Sequence, residues 1–150
     1  MDTPTLVSEA SAPATPISKG FRVYLWVSAL LAAGYGACYL FFAGPFLALV
    51  KWPFHDPPMA GLFGCTLLSL MVGAMLCLRA KTWQEIKLFV EFVIAWFGFV
   101  SVYDVYSIFG VPFPPAALPN VYVDTVINAS MCMGFVIFHR RHQNAAARER

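Results

Sequence analysis

From Val23 to Val50 the chain carries no charged side chain, and from Pro57 to Leu78 it again carries none. A helix crossing a bilayer needs about 20 apolar residues, so either run is long enough. A third stretch, Leu88–Phe109, is interrupted only by Glu91 and Asp104, and a fourth, Val121–Phe138, only by Asp124. In hydrocarbon each such segment must satisfy its own backbone hydrogen bonds, which dictates helix. The sequence therefore predicts an all-α, integral-membrane four-helix bundle over residues 21–142, with spans near 22–43, 58–78, 84–109 and 120–139. Charged residues make up 12% of the chain, about half the share found in a soluble domain. No stretch outside the spans is long enough for a soluble catalytic domain. Residues 1–20, rich in Pro, Ser, Thr and Ala, are expected to form a disordered tail, and 143–150 a basic one. The first span has too long an apolar core for a cleaved signal peptide.

Charge then sets the orientation. Lys19, Arg22, Arg79, Lys81, Lys87, Arg140, Arg141, Arg148 and Arg150 fall on one side of four spans, and Lys51 alone falls on the other. The positive-inside rule makes the first side cytoplasmic. The expected location is a bacterial inner membrane, crossed several times, with both termini in the cytoplasm. Tyr24, Trp26 and Trp83 are expected at the inner interface, and Trp52, Phe54, Tyr106 and Tyr122 at the outer one. Gly44-Pro45 is expected to end the first helix and to lead into an interfacial segment over 46–54. The proline-rich connection 110–119 is expected to lie on the membrane or under a partner.

Small residues let membrane helices approach closely. The second span repeats them at every fourth position, as Gly61, Cys65, Ser69, Gly73 and Cys77, and the first offers Ser28, Ala32 and Gly36. These two faces are the expected helix contact. The third span opens on Thr82-Trp83-Gln84-Glu85, which fits a capping box. Beyond it, Phe89, Phe92, Trp96, Phe99, Tyr103 and Tyr106 recur at steps of three and four, one aromatic stripe on a helix. With Glu91, Ile94, Gly98 and Ser101 on the broadly opposite side, the stripe is expected to face outward. It would meet lipid, another membrane subunit or a flat lipophile such as a quinone.

Acids within spans are functional candidates. Glu91 lies about 9 Å beyond Glu85 at about 1.5 Å per residue, one turn from Lys87, and an ion pair between Lys87 and Glu91 is expected near the inner face. Asp104 and Asp124 fall at similar depth on antiparallel spans, with Asn128 one turn deeper on the Asp124 face. Together with His55, Asp56 and the lone outer cation Lys51 they form the candidate outer polar site, suited to accepting a proton or cation. The alternative is a set of interfacial groups that cap helices.

No two histidines face each other within the bilayer, which argues against a bis-histidine haem within one protomer. His139 and His142, flanking Arg140 and Arg141, read as a lipid-facing basic cluster, and no metal site is expected. Cys38, Cys65, Cys77 and Cys132 form no CxxC pair and read as small packing residues. No phosphate loop or catalytic triad is present, and nothing supports nucleic-acid binding. The stretch Gly34–Gly44, Trp52-Pro53-Phe54 and Arg79-Ala80-Lys81-Thr82-Trp83, set in four spans, resembles small bacterial inner-membrane proteins of the DoxX-like and uncharacterised four-span types. That resemblance implies an accessory role beside membrane redox enzymes. The sequence thus leads to a non-catalytic accessory or scaffold subunit that packs through its helix faces. Its partners would be the lipid bilayer and other membrane subunits or further copies of itself. A small proton, cation or solute carrier, and a quinone- or lipid-handling redox accessory, are the alternatives. No cofactor is required by any motif.

Overall fold

A computed structural model describes residues 15–52 and 56–148. The described residues form five helices: α1 (Lys19–Phe41), α2 (Ala43–Leu49), α3 (Pro57–Arg79), α4 (Trp83–Gly110) and α5 (Leu118–Arg148). All but α2 are long and apolar enough to cross a bilayer, which makes the chain a multi-pass membrane protein. Large apolar side chains such as Val23, Leu30, Leu62, Leu88, Val102 and Val126 point outward along every span. In water such a surface would be an aggregation hazard; in hydrocarbon it is the side that meets lipid.

Local chemistry sets the helix ends. The Ser18 hydroxyl accepts the Phe21 N–H to start α1, and the Asp56 carboxylate accepts the Met59 N–H to start α3, whose first two residues are prolines. At α4 the Glu85 carboxylate accepts both the backbone N–H and the hydroxyl of Thr82. The first span ends at Phe41, earlier than expected, because Gly44-Pro45 falls in the opening turn of α2. Proline is tolerated there, where its missing N–H has no intrahelical partner to lose. The disordered tail expected through residue 20 is also too long at its end: residues 15–20 are held in place. Trp83 N–H donates to Thr15 O, Pro16 bridges to Thr82, and Ile17 is buried. The remainder of that tail lies outside the described residues.

The bundle is two hairpins. The most extensive contact is α1 with α3, followed by α4 with α5. At the closest α1–α3 approach a Cβ on Gly64 would lie 2.7 Å from Leu40 N and 2.9 Å from Gly36 O. Gly36 therefore meets Gly64, one position from the ridge expected to receive it. That ridge runs elsewhere: Gly61 has open space beside it, and Cys65 and Ser69 are exposed. Only its inner half is covered, where Gly73 receives the Phe89 ring of α4 and Cys77 is buried.

At the end that holds the start of α1, bonds form both within and between the hairpins. Within the α1–α3 hairpin, the Arg22 guanidinium donates to Leu78 O and Ala80 O at 2.7 and 2.9 Å, satisfying carbonyls left open at the end of α3. Tyr24 donates to Met131 O at 2.7 Å, its hydroxyl seated where Gly134 has no side chain. Phe21 is fully buried between Trp83, Phe135, Phe138 and His142. Trp83, expected in an interfacial belt, is a core residue here, whereas Trp26 is exposed.

Candidate functional site

The opposite end of the bundle is less filled. Between the hairpins lies a cavity of about 70 Å³ that widens into an open mouth. Every long helix contributes an aromatic side chain to its lining: Tyr35 and Tyr39 from α1, Phe63 from α3, Phe97 from α4 and Phe135 from α5. The polar lining is sparse, consisting of Ser28, the two tyrosines, Asp124 and Asn128. The Ser28 hydroxyl is already bonded to Tyr24 O at 2.8 Å. A largely apolar cleft with a few convergent polar groups is the usual character of a small-molecule site.

Asp124 also lines a second, outer cleft, together with Asp104, Ser107, Tyr103, Trp52 and Phe113. The two acids are not equivalent. Asn128 Nδ2 donates to Asp104 Oδ2 at 2.9 Å, joining α4 to α5. Asp124, half-buried, has no hydrogen bond or ion pair among the described residues. It stands on α5 at the junction of the two clefts, with its acceptor capacity unused by the protein.

Short-range contacts close the outer end over this junction. Phe46 of α2 packs edge-on against Tyr39, centroids 4.9 Å apart, and Tyr39 in turn against Phe63 at 5.2 Å. Asn120 Nδ2 donates to Val50 O at 2.6 Å, which fastens the end of α2 to the start of α5. Trp52 packs on Phe113 at 5.5 Å, bringing the two outer connections together.

Other expected members of the outer site have local roles. Asp56 caps α3. Lys51 is exposed, forms no ion pair among the described residues, and takes a positive φ of 54°. It occupies the left-handed position that ends α2, where Trp52 N–H returns to Leu47 O and Lys51 N–H to Ala48 O. Its backbone thus closes the turn. His55 lies outside the described residues. Asp104, Asp124 and Asn128 are the members brought together.

Toward the end that holds the start of α1, Lys87 Nζ lies 3.7 Å from Glu91 Oε1, and His139 Nε2 lies at the same distance from that oxygen. His142 departs from the expected lipid-facing cluster. It is buried, stacked on Trp83 at 4.4 Å, accepts the Ser18 N–H at Nε2 (3.2 Å) and faces Phe138 O through Nδ1 (2.8 Å). The Ser18 peptide and the Trp83 ring give it a place inside the bundle that Arg140 and Arg141 cannot take. No group of three metal-ligating side chains converges among the described residues, and the four cysteines are free thiols.

Of the aromatic stripe on α4, Phe92, Phe99, Tyr103 and Tyr106 are exposed, Trp96 is half-buried against the core, and Phe89 turns inward to Gly73. The side expected to be interior is only partly so. The buried line is Trp83, Ile86, Val90 and Val93, while Glu91 is exposed and Gly98 has open space beside it. The stronger apolar contacts of the branched side chains take the centre.

Nothing in the sequence marks Tyr35 and Tyr39 for this site: they stand one turn apart near the end of α1, where the membrane interface ordinarily explains a tyrosine. No family model matches this chain, and no curated protein or solved structure matches it either.

Proposed function

We propose that this protein binds a small amphiphilic molecule in the cavity between its two hairpins, and carries or presents it rather than transforming it. The observation behind this reading is Asp124, a carboxyl group with no partner among the described residues at the end of a largely apolar cavity. Asp124 is half-buried, so its carboxyl group is open to a ligand, and engaging one would offset part of the cost of its desolvation. The closing of that end by Phe46 and Asn120 suits a site entered laterally, between the hairpins. The test is analysis of small molecules that copurify with the full chain in mild detergent, compared with Ala32→Phe, which places a ring into the cavity wall. A defined amphiphile held by the wild type and lost in the variant is expected. Identical contents in the two, no different from bulk lipid, would overturn the reading.

A second reading, an accessory subunit docked through α4, is favoured by the outward Phe92, Phe99, Tyr103 and Tyr106, and agrees with what the DoxX-like resemblance implies. A photo-crosslinking amino acid at Phe99 is expected to trap a discrete membrane partner; a smear of lipid adducts alone counts against it. The concentration of basic residues at the end that holds Arg22, Lys87 and Arg141 supports a bacterial inner-membrane protein with both ends cytoplasmic. A fluorescent-protein fusion after Arg150 should therefore fluoresce, and an alkaline phosphatase fusion there should be inactive.

A further inference from the structure

The identity of the ligand class follows from what the cavity offers, and it rests on the binding reading above. We infer that the cavity recognises a lipophilic organic cation, an ammonium or phosphonium centre carrying hydrocarbon or aromatic groups. Three features combine. Asp124 is the acid that lines both the cavity and the outer cleft. The protein supplies it no cation: among the described residues both ion pairs use Glu91 at the inner end, and Lys51 is turned outward in the α2 turn. The two amides one turn away on the same helix are committed elsewhere, Asn128 to Asp104 and Asn120 to Val50 O.

The second feature is the wall. Aromatic side chains reach the cavity from all four long helices, through Tyr35, Tyr39, Phe63, Phe97 and Phe135. Aromatic rings attract a cation through their quadrupole, and the attraction grows when water is excluded. A neutral amphiphile gains apolar contact from the same wall but nothing from the charge of Asp124.

The third feature is the shape of the polarity. The cavity presents one carboxyl group at its outer end, and the rest of its lining carries only hydroxyls, one amide and hydrocarbon. A ligand with several separated polar groups would leave most of them unpaired. A single delocalised positive centre in an apolar shell would not.

The test uses the purified full chain in detergent and radiolabelled tetraphenylphosphonium as the probe, with neutral triphenylphosphine oxide as the competitor of similar bulk. Saturable binding of the cation is expected, with the neutral compound at least about tenfold weaker as a displacer. Asp124→Asn should weaken the cation at least about tenfold, as loss of a desolvated charge partner does. Asp124→Glu should retain binding within about threefold, and Asp104→Asn should have a smaller effect than Asp124→Asn, because Asp104 already has a protein partner. Equal displacement by the neutral compound, measured on the wild type and so independent of any variant's folding, would overturn the cation assignment while leaving the cavity reading in place. A folded Asp124→Asn that binds like the wild type would do the same. If a native amphiphile copurifies but tetraphenylphosphonium does not bind, the cation assignment alone fails. If neither binds, both readings fail.

Discussion

At His142 both ring nitrogens are committed. Nε2 accepts from Ser18 and Nδ1 faces a carbonyl four residues back, which places the ring proton on Nδ1. His142→Phe would keep a ring against Trp83 but strand the Ser18 N–H. A loss of about 0.5–1.5 kcal/mol is expected, the usual net worth of one hydrogen bond, read as a lower midpoint in detergent unfolding. Lys51 gives the opposite sign. A non-glycine residue at positive φ is strained, by roughly 1–2 kcal/mol. Lys51→Gly should therefore unfold no more easily than the wild type, whereas Lys51→Val, branched at Cβ, should unfold more easily in the same assay. Neither residue announced its role in the sequence. A lysine in a left-handed turn and a histidine used as a neutral acceptor are decided by partners that are distant or conformational. The histidine's partner, Ser18, is 124 residues away.

Among the elements, the spans were legible because length and apolarity are properties of one segment at a time. Their rotation was not. The helix α3 carries two lines of small residues side by side, Ala60 with Gly64 and Gly61 with Cys65, and both satisfy a four-residue repeat. What selects the first is the opposing surface of α1, where Gly36 and the backbone of Leu40 leave room only for a glycine. Gly64→Ala should accordingly force the hairpin apart, at about 1–3 kcal/mol as for other overpacked contacts. Gly61→Ala, with open space around it, should be neutral or mildly stabilising through helix propensity, worth up to about 1 kcal/mol. Parallel unfolding titrations of the two variants distinguish this register from its neighbour. The aromatic stripe of α4 shows the same limit. Periodicity groups Phe89 with Phe99, yet Gly73 draws the first inward.

Across the whole molecule, packing is uneven from end to end. Phe21, Trp83 and His142 fill the end that holds the start of α1, Phe135 lies between them and the cavity, and the cavity reaches the half where Asp124 stands. Asp104, Asp124 and Asn128 could be brought together from sequence because antiparallel spans of known length fix depth. Tyr35 and Tyr39 could not be assigned to the same site, since facing across a cavity depends on how both hairpins are turned. The inner clasp also has a consequence for the order of assembly. Each hairpin joins consecutive spans, so α1 with α3, and later α4 with α5, can form as they leave the ribosome. The Ser18–His142 bond and the stack on Trp83 wait until α5 has been made. A chain released before α5 would hold its first hairpin yet leave the Trp83 face bare, and the Ser18 amide would exchange its hydrogen freely. The clasp is thus the event that separates a partly inserted chain from a finished one, and a membrane quality-control protease that samples that face would meet only the former.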